Sequence, residues 1–319
     1  LAIAAVSFKG LTSVLDGLNR WTAVSLGLIA LIWGSTFVVV KNALDAVGPL
    51  TFVGFRFALA AAFLAILFRG RARHVSRADL RAGGLMGVWL GLGYIFQTIG
   101  LQTTTSAKAG FITGLSVVIV PVLATLLLRR PPGRGAAAGI VAATVGLGLL
   151  SLDRDLSVQS GDLWVLGCAF AFALHIVTVS RYSPHFDAVR LAVVQIATVA
   201  VLATGAAFAF ETPRAGLPGD TWFAIAFTGV AATALAFGLQ VYVQRFTTPT
   251  HTALLFSLEP VFAALFGWAL ASEVLGAREL AGCGLILAGM LIAELGDGQV
   301  SESPASMPAS PVTGDAHSK

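Results

Sequence analysis

Residues 255–270 read LFSLEPVFAALFGWAL. Apart from Glu259 and Pro260 the stretch is apolar or small. A bilayer-crossing helix takes about 20 mostly apolar residues, and this is most of one. A carboxylate and a proline are each costly there. An intramembrane ionisable group costs about 2.5–3.5 kcal/mol on insertion scales and faces a cavity or a partner. Proline removes a backbone hydrogen bond and kinks the helix. The freed carbonyl is tolerated only where it meets water, protein or ligand. The pair therefore predicts a bent helix whose carboxylate looks into a bundle rather than into lipid.

The rest of the chain has the same character. Of 319 residues 56% are hydrophobic and only 11% charged, with a mean hydropathy of +0.85. Soluble domains carry about 25% charged residues. Ten apolar segments read as membrane spans: 22–42, 50–68, 82–102, 107–128, 136–152, 162–181, 189–210, 220–243, 251–271 and 277–295. Polar or Pro/Gly-rich breaks such as RGRARHVSRADLR and RRPPGRG separate them. The breaks QTTTSAK and QRFTTPTH are the weakest. The fold class is an all-α integral membrane protein.

Lys and Arg set the orientation. With the amino terminus inside, the inner segments hold 13 of them and the outer segments 5, leaving aside Arg56 and Lys319. Both termini are thus expected to be cytoplasmic. The first residues, LAIAAVSFKGLTSVLDGLNR, have no charged-then-apolar order and do not read as a signal peptide. The tail from Gly296 is rich in Pro, Ser and Gly and is expected to be disordered.

Shifting the chain by 143 residues sets its halves on each other across three spans. Gln97 meets Gln240, Thr104 meets Thr247, and Gly139 and Gly146 meet Gly282 and Gly289. A slightly shorter shift, of 139 to 140 residues, roughly sets Arg56 on Gln195 and Lys41 on Arg181. Each copy holds five spans. Five is odd, so the second copy enters the membrane from the opposite side. The expectation is ten transmembrane helices as two five-helix inverted-topology repeats, with a substrate site between them near the midplane. The domains are then 1–21, a cytoplasmic amino-terminal segment; 22–152 and 162–295, the repeats; and 296–319, a disordered cytoplasmic tail.

IWGSTFVVVKNAL, GPLTFVGFRFALAA and SAKAGFITGLSVVIVPVL resemble the first half of the drug/metabolite transporter superfamily. LFSLEPVFAALFGWALASEVLGARELAGCGLILAGMLIAEL resembles the second half of its EamA-like ten-span exporters. The resemblance covers roughly residues 21–295. It implies a central cavity between inverted repeats and cargo such as amino acids, nucleobases, vitamins or toxic cations. This chain departs from the pattern in its first half. Ser116-Val117 stand where the second half has Glu259-Pro260, and RRPPGRG replaces an acidic turn that the second half keeps at Ala271-Ser272-Glu273.

Polar residues inside the spans are the site candidates. Glu259 either carries a proton, holds a cationic group of the cargo, or is a protonated carboxyl bonded to a neighbouring helix. Arg56 stays charged. It either binds a substrate carboxylate or snorkels outward to Asp45, the simpler reading. Lys41 reads as an interfacial anchor. His175 titrates near neutrality when unperturbed, but a lone His is commonly just hydrogen-bonded. Trp33, Phe37 and Lys41 share a helix face, as do Tyr94 with Gln97, and Phe237 with Gln240 and Gln244. The glutamine amides need partners, whether each other, a neighbouring helix or a ligand. Trp33 and Tyr94 offer rings to a flat or cationic cargo. Pro260 and Pro121 are the expected helix kinks.

These features point to a secondary transporter that exports a small amino-acid-like or drug-like metabolite by alternating access, with proton coupling left open. There is no Walker A sequence, no HExxH and no GxSxG. An intramembrane enzyme using Ser116 and His175, or a receptor or scaffold, is the alternative. Cys168 and Cys283 lie in apolar runs without metal-ligand spacing. No cofactor or metal is expected. The basic residues form no stripe, which argues against nucleic acid. Expected partners are a small-molecule substrate, the bilayer of a bacterial inner membrane, and in one arrangement a second copy in a homodimer.

Overall fold

The structure is a computed structural model that describes residues 20–104, 106–151, 159–271 and 276–296. The expectations for the amino-terminal segment, the tail and the Ser272-Glu273 turn fall outside those residues. Among the described residues every regular element is helical. The helices are α1 (Arg20–Gly34), α2 (Thr36–Ala43), α3 (Pro49–Leu67), α4 (Arg69–Ala72), α5 (Arg77–Gly100), α6 (Ser106–Gly114), α7 (Ser116–Leu128) and α8 (Arg134–Ser151). They continue as α9 (Ser160–Tyr182), α10 (Ala188–Phe210), α11 (Gly219–Gly229), α12 (Ala236–Val243), α13 (Pro249–Phe256), α14 (Glu259–Ala271) and α15 (Ala277–Gly296). A π-helical segment, Val230–Leu235, joins α11 to α12.

Among the described residues, seven helical stretches are long and apolar enough to cross a membrane. Arg134–Leu150 is a shorter apolar helix, and the ninth expected span is two pieces, α13 and α14. Both weak breaks are real: α5 ends at Gly100 before α6 starts at Ser106, and α12 ends at Val243 before α13 starts at Pro249. Large apolar side chains such as Ile66, Leu126, Val201 and Phe210 are exposed on the outside of the bundle. Side chains of the same type pack inside around Phe57, Leu90 and Ile196. Apolar residues on both faces are what a helix needs between lipid and core.

The contact between α8 and α15 carries the duplication into three dimensions. A Cβ on Gly139 would collide with the carbonyl oxygen of Gly289, and one on Gly289 would lie 2.6 Å from that of Gly139. Gly146 and Gly282 form the second such pair, 2.7 Å in both directions. Residue numbers fall along one helix as they rise along the other, so the pair is antiparallel. The 143-residue shift turns Gly139 into Gly282 and Gly146 into Gly289, so it exchanges the two contacts. That is the reciprocity of a two-fold interface.

Glu259 and Pro260 prove compatible for a local reason. The helix is interrupted at Ser257 and Leu258, and Glu259 opens α14. Pro260 thus lies in a first turn, where its missing N–H is least needed. The carboxylate of Glu259 lies at the positive end of a helix dipole. Ser257 is held in tightened geometry (φ −66°, ψ −7°), and its hydroxyl donates to the carbonyl of Leu254 (2.6 Å). The duplicate position breaks too, at Leu115 between α6 and α7 (φ −60°, ψ −13°), although no proline stands at 117. The discontinuity therefore does not depend on Pro260. Pro121 lies inside the unbroken α7, and the interruption comes six residues before it rather than at its own turn. A third break falls at Ser35, between α1 and α2.

Charged side chains tie the halves together at their rims. The Glu211 carboxylate at the end of α10 accepts from the backbone N–H groups of Leu50 and Thr51 (2.9 Å each) and from the Thr51 hydroxyl (2.6 Å). It caps α3 from across the chain. Losing such a cap costs about 1–2 kcal/mol. Glu211→Ala is expected to lower the thermal unfolding midpoint in detergent, and an unchanged midpoint would show the cap to be dispensable.

Candidate functional site

A cavity of about 370 Å³ lies among α1, α2, α3, α5, α6, α9, α12, α13 and α14, and touches α7, α8 and α15. Its wall includes Glu259, Arg56, Gln97, Gln240, Trp33, Tyr94, His175 and Pro260. Three candidates lie elsewhere. Gln244 is one turn beyond Gln240 and fully inside the bundle, where its amide donates to the Ile176 carbonyl (2.6 Å) and to the Ser180 hydroxyl (2.7 Å). Pro121 is buried in α7 away from the cavity. Lys41 is exposed at the end of α2.

Arg56 does not snorkel. It is 3% exposed; Nε donates to Thr233 Oγ1 (2.7 Å), Nη2 to Tyr94 Oη (3.3 Å), and the guanidinium lies 4.6 Å from the Tyr94 ring centre. Asp45 is exposed and takes no part. The outward path fails because the face of α3 that carries Arg56 turns toward the π-helical segment. There the backbone is wound beyond the α-helical register, a feature frequent at functional sites. Two of the segment's acceptors are used: Thr233 for Arg56, and the Ala232 carbonyl for the Trp33 indole N–H (2.8 Å). Among the described residues Arg56 has no carboxylate at ion-pair distance.

The Glu259 side chain is partly buried and makes no hydrogen bond to any described residue. Among the described residues the bond to a neighbouring helix, one of its three readings, is not made. Gly34, next to the break in the first span, packs on its backbone. A Cβ there would come within 2.8 Å of the Glu259 carbonyl oxygen and 2.9 Å of the Ala263 amide. This close approach brings the interruptions of the first and ninth expected spans together.

Rings form the apolar wall. Trp33 and Phe237 centre 5.1 Å apart, Tyr94 and Phe172 5.3 Å, Tyr94 and Phe237 5.9 Å, and Trp33 and Phe256 4.9 Å. Tyr94 and Phe237 correspond under the 143-residue shift. Trp33 and Phe172 correspond under the 139-residue shift that sets Arg56 on Gln195. The duplication thus exchanges the first two ring pairs, as it exchanges the glycine contacts.

The amides are divided between helices. Gln97 donates to Thr113 Oγ1 (3.3 Å) and Gln240 to Gln244 Oε1 (3.0 Å), so the two duplicated glutamines bond other residues, not each other. Gln240 Oε1 is buried without a partner. His175 Nε2 donates to Gln195 Oε1 (2.9 Å) against the edge of Phe237. Ser116 shares the wall with His175 but forms no hydrogen bond to it.

The cavity wall reaches Val40, Leu101, Leu150 and Glu279, where α2, α5 and α8 end and α15 begins. At the other end it stops at Ile176, Gln240 and Phe256. Beyond these lie the Gln240–Gln244–Ser180 bonds and an apolar cluster of Leu26, Val120, Val177 and Leu255. Sequence reading missed Thr233, Phe172, Phe256, Thr113 and Glu279. Phe172 is visible once the shorter shift is applied to Trp33. Thr233 carries no signal, because nothing in VAATAL announces a π turn.

Apolar helices around a cavity of rings and a few polar groups define a multi-pass membrane protein. The chain belongs to the EamA-like transporter family, which matches it at residues 20–152 and 159–294. An uncharacterized transporter of Archaeoglobus fulgidus is 35% identical over 292 residues, 91% of either chain. The Bacillus subtilis uncharacterized transporter YoaV is 26% identical over 84% of this chain and 96% of its own. The Escherichia coli K12 uncharacterized inner membrane transporter YedA is 26% identical over 85% and 90%. A solved crystal structure superposes with a TM-score of 0.71 at 20% identity, over 86% of this chain and 96% of the other, and so shares the fold. The resemblance to the drug/metabolite transporter superfamily holds. The protein is a membrane transporter, and its relatives are named as transporters, not as enzymes.

Proposed function

We propose that this protein is a secondary transporter of the inner membrane that exports a small zwitterionic or anionic metabolite, working by alternating access between two inverted five-span repeats. The observation that carries this reading is the cavity itself. One fixed cation, Arg56, and one carboxyl without a hydrogen bond, Glu259, share a wall with aromatic rings. Cargo-sized sites are mostly apolar with a few placed polar groups. The reciprocal glycine contacts and the exchanged ring pairs support the inverted repeat. With both termini cytoplasmic, the end marked by Val40 and Glu279 faces outward. The Gln240–Gln244–Ser180 closure then faces the cytoplasm.

Glu259 is the proton carrier in this scheme. Facing outward it takes up a proton as cargo leaves through the open end. Facing inward it releases that proton to the cytoplasm as the next cargo binds Arg56. One proton enters for each cargo exported. Each pH unit then drives about a tenfold cargo gradient. Efflux of a mixed metabolite panel from liposomes, with and without a pH gradient, tests this. Wild-type efflux follows the gradient, and Glu259→Gln moves cargo at a rate that ignores it. Wild-type behaviour in Glu259→Gln would remove Glu259 from coupling. The absence of any efflux from folded wild type would remove the transport reading.

A further inference from the structure

A second cavity, of about 330 Å³, opens on the outside of the bundle between α3, α10 and α12. One wall is formed by Leu64, Phe68 and Ala192, and the other by Leu235, Gly238, Leu239 and Tyr242. Leu235 and Tyr242 are about half exposed. Gly238 opens the groove between them, since a Cβ there would meet nothing within 4 Å. Residues 235, 238, 239, 242 and 245 follow helical spacing along one face. From Leu235 to Arg245 the face runs about 15 Å at 1.5 Å per residue. That is half of the roughly 30 Å hydrocarbon core, the depth of one leaflet.

The charges of the groove lie at one end only. Arg71, Arg245 and Asp187 line it there, beside other arginines such as Arg69, Arg73 and Arg190 on the same rim. Asp187 is committed to its own helix, accepting from the Arg190 backbone N–H (3.0 Å), and is 3.9 Å from Arg71. Arg245 has no carboxylate at ion-pair distance among the described residues. Its Nη2 donates to the Phe186 carbonyl (3.3 Å), its Nε finds no acceptor, and its guanidinium lies 5.3 Å from the Tyr242 ring centre. This leaves an uncompensated cation at the mouth of an apolar groove one leaflet deep. Guanidinium groups match phosphate in shape and charge. Basic pockets between helices at the cytoplasmic surface take anionic headgroups.

We propose that this groove binds one anionic glycerophospholipid of the cytoplasmic leaflet, its phosphate at Arg245 and Arg71 and an acyl chain along Leu239, Gly238 and Leu235. A free phosphate compound shares the headgroup chemistry but has no use for the apolar wall. The site lies outside the transport cavity. It rests on the orientation proposed above only for the choice of leaflet.

Native mass spectrometry of the full-length protein released from detergent tests the site. The protein is incubated with phosphatidylglycerol or with phosphatidylcholine. A surface arginine contributes about fivefold to anionic lipid binding. Wild type is expected to retain phosphatidylglycerol well above phosphatidylcholine. Arg71→Gln with Arg245→Gln should lose about 25-fold. Gly238→Leu fills the groove without touching a charge and should also lose the lipid. Equal retention of both lipids by wild type overturns the proposal. So does displacement of phosphatidylglycerol by excess inorganic phosphate, or retention by Gly238→Leu. The comparison of lipids on wild type decides the matter even where a variant fails to fold.

Discussion

Arg56→Gln is expected to abolish transport while leaving the fold at least as stable as wild type. The two effects separate because of what surrounds the guanidinium. It is buried, donates only to the neutral hydroxyls of Thr233 and Tyr94, and otherwise rests against the Tyr94 ring. A buried cation without a directly paired anion is a burden on the folded state. Replacing it with a neutral amide relieves that burden. In the proposed scheme the cargo loses its anchor at the same time. Hydrogen bonds to a charged group are worth about 1.5–3 kcal/mol each, so loss of a two-pronged contact to a carboxylate lowers transport efficiency by about a hundredfold or more. Arg56→Lys should not restore it. One ammonium cannot bond Thr233 and Tyr94 and also present two parallel donors to the cavity.

The measurements are liposome efflux of the cargo found by the panel and thermal unfolding in detergent, with and without that cargo. Cargo should raise the unfolding midpoint of wild type and leave that of Arg56→Gln unmoved. A variant that transports normally but unfolds earlier would mean the opposite. Arg56 would then be a strut that fixes the π segment to α3.

Much of this site is legible in the sequence because polar groups inside apolar helices are costly and therefore placed for a reason. Glu259, Arg56, Gln97, Gln240 and His175 stand out in that way, and each lies on the cavity wall. The failures have identifiable physics. Gln244 shares a helix face with Gln240, and periodicity gives the face correctly. Depth along the axis is another matter, and one more turn carries Gln244 beneath the floor of the cavity. Arg56 was expected to reach outward because a lone arginine in an apolar helix has no visible partner. Its partner is the Thr233 hydroxyl, and a threonine in an α-helix ordinarily bonds its own preceding turn. Thr233 lies in the π-helical segment of residues 230–235, whose winding an apolar sequence does not announce. The breaks at Ser35 and Leu115 were likewise hidden, because no proline marks them. The duplication was legible in the small residues of α8 and α15, whose spacing survives where larger side chains have diverged.

That glycine seam sets up the second large effect, on stability. Gly139→Ala places a methyl against the carbonyl oxygen of Gly289. The obstacle is backbone, and no side chain can rotate away. Overpacking of this kind costs about 1–3 kcal/mol, enough to lower the unfolding midpoint in detergent by several degrees. Gly282→Ala meets the Gly146 carbonyl and the Leu150 amide, both at 2.7 Å, and should cost as much. The two residues are duplicates of each other, so equal penalties are what a two-fold seam requires. Combining the two should cost less than their sum. The first methyl already parts the helices and makes room for the second, and sites in contact through one interface do not add. Gly284 is the internal control. It lies in the same helix, but a Cβ there meets nothing within 4 Å. Gly284→Ala should be neutral or raise stability by about 0.4–1 kcal/mol through the unfolded chain. If Gly139→Ala and Gly284→Ala unfold alike, α8 and α15 are not in backbone contact, and the reciprocal contacts that relate the two halves are lost with them.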